Sequence, residues 1–177
     1  MQIYKFITIR FLFFLSLLSL TFGCVSNKTG IYEGYQKSGK IEYYNSTDIR
    51  QRHLDSLNAL RQEKGLGNLV ISHSLNSSAA THARDIYYQN RAWNFGSDGS
   101  SPQNRAEVVG FDGIVIGENV SETFEGEFLV LQVWLENAFP RSVLFDVDAT
   151  HLGFGWFQEE NGKIWWVQVL GKLPEIS

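Results

Sequence analysis

Apolar positions recur every three or four residues in the first half of the chain, the spacing of one face of an α-helix. The apolar face of the first predicted helix carries Ile49, His53, Leu57 and Leu60. Asp48 is a favourable N-cap for this helix, and Gly65 follows its last turn as a stop signal. A second helix begins after Ser72, and its apolar positions are Leu75, Ala79, Ala83 and Ile86.

Two further helices and a strand are predicted in the middle of the chain. Ser101 and Pro102 open a short helix that Gly110 closes. The sequence IVIGENVS, from residue 114 to 121, is typical of a strand. A helix is then predicted from about Thr123 to Asn137. Its buried side carries Phe128, Leu131, Trp134 and Leu135.

The last part of the chain predicts two strands, HLGFGWFQ and KIWWVQVLG, joined at an Asn161-Gly162 turn. In the second strand, apolar side chains alternate between both faces. Ile164, Trp166 and Leu170 point one way, and Trp165, Val167 and Val169 the other. A sheet that is apolar on both faces must be covered on both faces. The predicted fold is therefore α+β, a three-layer α-β-α sandwich.

The N-terminus has the order of a secretory signal: basic residues, an apolar run over residues 11–20, and small residues before Cys24. The sole cysteine after Gly23 resembles a bacterial lipoprotein lipobox, in which the cysteine is lipidated and becomes the new N-terminus. We expect a signal peptide over 1–23, a lipidated tether over 24–48 and a domain over 49–173. Alternatives are an uncleaved anchor, or a free thiol behind an ordinary signal.

Composition narrows the classes of function. A chain of 177 residues has room for one domain of usual size with its own core. The net charge is −4, and loss of Lys5 and Arg10 with the signal would take it to −6, which argues against a nucleic-acid partner. One cysteine leaves no disulfide framework within the chain.

Six motifs, in order, resemble the CAP superfamily, also called SCP or pathogenesis-related-1-like domains. The motifs are LNALRQEKGLGNL from residue 57, LNSSAATHARDI from 75, GSDGSSPQNR from 96, GEN at 117–119, the helix with Trp134 and Arg141, and THLGFG from 150. The resemblance runs from about residue 49 to Gly171 and implies the same α-β-α sandwich.

Many members of that family hold a divalent metal between two histidines and two acidic residues in a central cleft. Position by position, the resemblance places Asn94, Glu118, Asn137 and Pro140 at this set, with Glu136 next to Asn137 but turned about 100° around the helix. Zinc requires three or four His, Cys or carboxylate ligands, so we expect a cleft without metal or cofactor.

The remaining histidines and aromatic residues favour structural roles. His53, on a helix among Arg and Asp residues, is expected to be solvated or at the edge of the core. His151 at the start of a strand is expected to form structural hydrogen bonds. His73 and His82 are too far apart in sequence to pair on one helix face. Trp93, beside the GSDGSS loop, is the tryptophan closest to a candidate ligand surface.

The sequence therefore predicts an extracytoplasmic, membrane-anchored lipoprotein of the cell envelope with a CAP domain that binds rather than catalyses. The resemblance implies an apolar small molecule or lipid, or an envelope partner, as its ligand. Two alternatives are open: a divergent hydrolase that uses Glu118, and a purely structural envelope module.

Overall fold

The computed structural model describes residues 39–42 and 45–174. The helices are α1 (Ser46–Glu63), α2 (His73–Gln89), α3 (Pro102–Val108), α4 (Glu127–Glu136) and α5 (Ala138–Leu144). The strands are β1 (Val70–Ile71), β2 (Ile114–Thr123), β3 (His151–Gln158) and β4 (Ile164–Lys172). They form one sheet in the order β1-β3-β4-β2, in which β1 is parallel to β3 and the other pairs are antiparallel. No helix in these residues is both long and apolar enough to cross a membrane.

The three-layer α-β-α sandwich is confirmed. Helices α1, α4 and α5 cover one face of the sheet, and α2 and α3 cover the other. Within β4, Ile164, Trp166 and Leu170 belong to the first core, while Trp165, Val167 and Val169 belong to the second. The alternation in the sequence thus assigned each side chain of this strand to the correct layer.

Two glycines in β3 allow α2 to lie directly on the sheet. A Cβ at Gly153 would stand 2.2 Å from the carbonyl carbon of Leu75, and one at Gly155 would stand 2.3 Å from the nitrogen of Ala80. These are backbone atoms of α2 that cannot move aside. The THLGFG motif therefore places glycine on the α2 side of β3, because the helix and the strand meet there without intervening side chains.

Arg61 ties α1 to the loop between α5 and β3. Its side chain is buried, and its guanidinium donates to the carbonyl oxygens of Gly67, Leu144, Asp146 and Ala149 at 2.8–3.2 Å. The burial is favourable because every contact is a charge-assisted hydrogen bond. This arginine closes one end of the sandwich.

The first helix begins earlier than predicted. It starts at Ser46 with Asn45 at the N-cap position, so Asp48 lies in the first turn and is not the cap. An acidic side chain there is favourable because it faces the positive end of the helix dipole. Ser72 and Ser101 cap α2 and α3 as predicted, each accepting a backbone N–H three residues ahead.

The fourth helix was predicted too long. Strand β2 continues to Thr123, which pairs with Ile164, so α4 starts only at Glu127 and ends at Glu136. The prediction that Phe128 is buried was wrong, since it is 38% exposed, and Val130 occupies the core with Leu131 and Trp134. The short helix α5 was not predicted.

The predicted lipidation site at Cys24, the predicted signal peptide and most of the predicted tether lie outside the described residues. The described part of the tether touches the domain. The N–H of Ile41 donates to the Gln158 amide oxygen at 2.8 Å, the Gln158 amide donates to Gly39, and Ile41 packs against the first core. Ordered packing therefore begins before residue 49.

Candidate functional site

Glu118, the acidic residue of the GEN motif, lies in the interior beneath α2 and α3. It pairs with Val169 across the sheet, and therefore points to the second core. The residue is only 3% exposed. A buried carboxylate needs hydrogen-bond donors, and the surrounding elements supply two.

Arg105 supplies the main partner. One nitrogen of its guanidinium lies 2.8 Å and 3.0 Å from the two carboxylate oxygens of Glu118. The same guanidinium donates to the carbonyl oxygens of Ser100 and Asn94. Arg105 is held at this point by α3, whose start is fixed by the capping box at Ser101.

Asn94 supplies the second partner. Its amide donates to the backbone oxygen of Glu118 at 2.9 Å and to a carboxylate oxygen at 3.1 Å. The amide of Asn94 therefore fixes the carboxylate in place.

His82 also reaches this cluster, and sequence reasoning did not assign it there. Its Nε2 lies 2.9 Å from the carbonyl oxygen of Trp93 and 3.5 Å from Glu118 Oε1. Burial, reinforced by the charge of Arg105, lowers the pKa of His82 to about 4. The imidazole is therefore neutral at neutral pH, and because a carbonyl only accepts, Nε2 carries the proton.

Burial has the opposite effect on the acid. It raises the pKa of Glu118 to about 7, against the pull of Arg105 and Asn94, which favour the ionised form. A pKa in this range would suit a general acid or base. The geometry does not, because the carboxylate is enclosed and its oxygens are already occupied.

The other predicted cleft residues lie elsewhere. Glu136 accepts from Gln132 on its own helix, and the Asn137 amide donates to the Val133 carbonyl; both side chains are exposed. Pro140 lies near Asn119, the residue that follows Glu118 in the GEN motif. Its backbone carbonyl oxygen accepts a hydrogen bond from the Asn119 amide at 3.0 Å. Asn94 and Glu118 are thus the two members of the predicted set whose side chains bond to each other.

The expectation that His53 is solvated or at the core edge was wrong. It is fully buried on the opposite face of the sheet, stacked on Phe154 at 3.9 Å between ring centroids, with Nε2 2.6 Å from the Gln168 amide oxygen. Burial lowers its pKa to about 4. The apolar positions around it in α1 carried the signal that would have placed it correctly.

His151 and Trp93 both contact neighbouring side chains. Nδ1 of His151 lies 2.8 Å from the hydroxyl of Thr150. The Trp93 indole donates to Gln89 and packs on Phe95, with the Arg91 guanidinium 4.1 Å from its ring centroid.

The donor set around Glu118 does not fit a divalent metal. Its neighbours are a guanidinium, an amide nitrogen and an imidazole whose nearer nitrogen is protonated, and none of these presents a lone pair to a cation. Within residues 39–42 and 45–174, no three His, Cys, Asp or Glu side chains are grouped to share an ion.

A concave surface lies beside Trp156, at the edge of the sheet. It is a groove of about 660 Å³ between the start of α1, α2 and residues 41–42. Ile41, Ile71 and Trp156 give it an apolar wall, and the Arg50 guanidinium stands 5.0 Å from the Trp156 ring centroid. On this edge of the sheet β1 is only two residues long, so the far half of β3 pairs with β4 alone and has no strand on its other side.

A family model matches most of the chain. The model of the Cysteine-rich secretory protein family, CAP, matches residues 54–170. The Bacillus subtilis protein YkwD is 29% identical over 119 residues, which are 65% of this chain but only 44% of that protein.

Solved structures share the fold at low identity. An outer surface protein of Borrelia burgdorferi aligns with a TM-score of 0.66 at 18% identity, over 73% of this chain and 96% of that one. An extracellular Bacillus anthracis protein with an SCP domain aligns with a TM-score of 0.66 at 19% identity, over 76% of this chain and 45% of that one. The chain belongs to the CAP family of cysteine-rich secretory proteins, although it has a single cysteine.

Proposed function

We propose that this protein is an extracytoplasmic CAP domain, anchored to the membrane by a lipid on Cys24, that binds an apolar ligand or a cell-envelope partner and does not catalyse a reaction. The enclosure of Glu118 carries the proposal. The resemblance assigns Glu118 to the family's metal-binding set. In this chain its carboxylate is bonded to Arg105 and Asn94 and is buried from solvent.

A hydrolase would need more than this carboxylate. A general base must reach the proton that it removes, directly or through one water molecule. Glu118 would first have to leave Arg105 unpaired in the interior, which is costly for a buried charge. The geometry therefore favours binding over the alternative of a divergent hydrolase.

The N-terminal sequence supports the location. Basic residues, an apolar run and small residues lead to Cys24, the order of an exported lipoprotein. The Borrelia burgdorferi neighbour is an outer surface protein and the Bacillus anthracis neighbour is extracellular, so the fold is used outside the cytoplasm in other bacteria.

We place the apolar ligand in the groove beside Trp156. Its volume, about 660 Å³, lies in the range of small-molecule sites. Its wall combines an indole and two isoleucines with the charged residues Arg50 and Glu42. The apolar residues suit the body of a ligand, and Arg50 suits an acidic head.

A fluorescent fatty acid, such as dansyl-labelled undecanoate, tests the proposal with the purified protein. We expect saturable binding that Trp156→Ala weakens at least tenfold. Trp93→Ala removes a half-buried indole outside the groove and should leave the affinity unchanged. Thermal melts of both variants check that each is folded.

The same preparations test the hydrolase alternative. We expect no turnover of p-nitrophenyl butyrate above that of Glu118→Gln. Turnover that Glu118→Gln abolishes would reject the non-catalytic assignment. Equal fatty-acid affinity in Trp156→Ala and the parent would reject the groove as the binding site.

A further inference from the structure

Residues 39–42, the described end of the predicted tether, form a strap along the groove beside Trp156. Ile41 and Glu42 line this groove. Ile41 and Trp156 also line a second concave surface, of about 570 Å³, which extends to the β3–β4 turn. The strap therefore lies beside the indole, at the boundary of the two surfaces. The groove has this wall only while the strap is docked.

Gln158, the last residue of β3, holds the strap on the domain. Its amide oxygen accepts a hydrogen bond from the Ile41 N–H at 2.8 Å, and its amide nitrogen donates to the Gly39 carbonyl oxygen at 3.0 Å. The same nitrogen lies 3.3 Å from the carbonyl oxygen of Gly162 in the β3–β4 turn. A single side chain thus fixes the backbone on both sides of Lys40.

The side chains of the strap agree with this docked position. Ile41 is half-buried and packs against the first core, whereas the side chain of Lys40 is 82% exposed. Gln158 lines the second concave surface rather than the groove. Its effect on a ligand in the groove must therefore act through the position of Ile41.

We propose that Gln158 is a positioning residue, which holds the strap as a wall of the groove and so couples ligand binding to docking of the tether. This inference rests on the proposed function, because it takes the Trp156 groove as the ligand site. By linkage, a wall that strengthens binding must itself be held more tightly when ligand is bound. The chain before the strap leads to Cys24, so a bound ligand also fixes the point at which the proposed anchor leaves the domain.

Trypsin digestion of the purified protein measures docking at the strap itself. Trypsin cleaves after lysine, and the Lys40–Ile41 peptide bond carries the N–H that Gln158 binds. Mass spectrometry identifies the fragment that begins at Ile41. We expect saturating dansyl-labelled undecanoate to slow this cleavage in the parent at least about fivefold, the lower end of usual coupling between two sites. Cleavage after Arg91, an exposed residue that follows α2, is the internal control and should not respond.

Gln158→Met keeps the length of the side chain but removes its hydrogen bonds to the strap. Without ligand, it should speed cleavage after Lys40 by about fivefold to a hundredfold, the effect of losing two hydrogen bonds. Gln132→Met is the matched control, since the Gln132 amide bonds to exposed Glu136 on α4, and it should be cleaved as the parent is. Ligand protection in the parent tests the coupling even if Gln158→Met does not fold.

The outcomes separate this inference from the proposed function. If the fatty acid does not bind the parent, the ligand site fails and the coupling falls with it. If the fatty acid binds and Trp156→Ala weakens it, but cleavage after Lys40 is not slowed, the groove stands and the coupling is overturned. Equal cleavage of folded Gln158→Met and the parent would overturn the positioning role. An equal response after Lys40 and Arg91 would overturn it too, because the ligand would then act on the whole domain.

Discussion

At the scale of single residues, one buried carboxylate organises the α2–α3 side of the domain. Glu118 is stabilised by Arg105 and Asn94, and Asn119 beside it faces the other layer and binds the Pro140 carbonyl. The GEN motif thus joins both helical layers to β2 through adjacent side chains. Its role in this chain is structural.

Removing Arg105 should reveal the cost of burying Glu118. We expect Arg105→Met to destabilise the domain by about 3–5 kcal/mol at pH 8, where Glu118 is left as an unpaired buried charge. The folded pKa of Glu118, about 7, lies above the unfolded value of 4.5. Protonation of Glu118 therefore stabilises the fold fully below pH 4.5, and this contribution is lost as the pH rises through about 7. The loss in Arg105→Met should therefore be smaller at pH 5.

Denaturant melts at the two pH values measure this difference. Arg91→Met is the control, since it removes an exposed cation above Trp93 and should cost less than about 1 kcal/mol. An equal loss at pH 8 and pH 5 for Arg105→Met would show that Glu118 does not carry the effect.

His53 should make the domain sensitive to acid. Its folded pKa, about 4, lies below the unfolded value of 6.5, so its contribution to stability is complete above pH 6.5 and is lost as the pH falls toward 4. His53→Phe keeps a ring against Phe154 but removes the titration. From pH 7 to pH 4.5, the free energy of unfolding of the parent should fall by about 2–3 kcal/mol more than that of the variant. Parallel stability curves would contradict this account.

The sequence could identify Glu118 but not its neighbours. Glu118 sits in a short recognisable motif, whereas His82 and Arg105 are 36 and 13 positions away and come from other elements. Only the packing of α2 and α3 on the sheet brings these side chains together. His53 was misplaced because its charged neighbours in sequence outweighed its position on the apolar face of α1.

At the scale of elements, glycine in β3 sets the distance between α2 and the sheet. We expect Gly155→Ala to destabilise the domain by at least about 3 kcal/mol, because its Cβ would overlap backbone atoms of Ala79 and Ala80. Gly67→Ala is the control, since a Cβ there meets nothing within 4 Å and the backbone is not in the left-handed region. Urea melts distinguish the two. Equal stability of both variants would mean that α2 does not lie directly on β3.

Local sequence signals predicted several elements correctly. The alternation in β4 and the caps at Ser72 and Ser101 were read correctly because the signals are local. The start of α4 was not predicted correctly, because β2 continues to Thr123. Thr123 pairs with Ile164, and this contact joins distant parts of the chain.

At the scale of the whole molecule, the proposed anchor gives the domain its location. Cys24→Ser should block lipid attachment, and the protein should then leave the membrane fraction or accumulate as an unprocessed precursor. Fractionation of cells expressing parent and variant, followed by gel electrophoresis, measures both. Serine replaces only the thiol, so identical fractionation and mobility would reject the lipoprotein assignment.

The central proposal for the whole molecule is that this domain holds no divalent metal at Glu118. Of the predicted cleft positions, Glu118 alone is buried with a carboxylate, and Arg105 and Asn94 occupy its oxygens. A metal that binds the folded state must raise its stability by RT ln(1 + [L]/Kd), about 2.7 kcal/mol at a hundredfold excess over Kd.

Thermal melting of the purified protein in EDTA and then in excess zinc tests this claim most directly. We expect the same midpoint in both conditions, and the same result for Glu118→Gln measured alongside. A clear upward shift with zinc that disappears in Glu118→Gln would show that a metal displaces Arg105 from the carboxylate, and would contradict the assignment of this domain as a non-catalytic binding module.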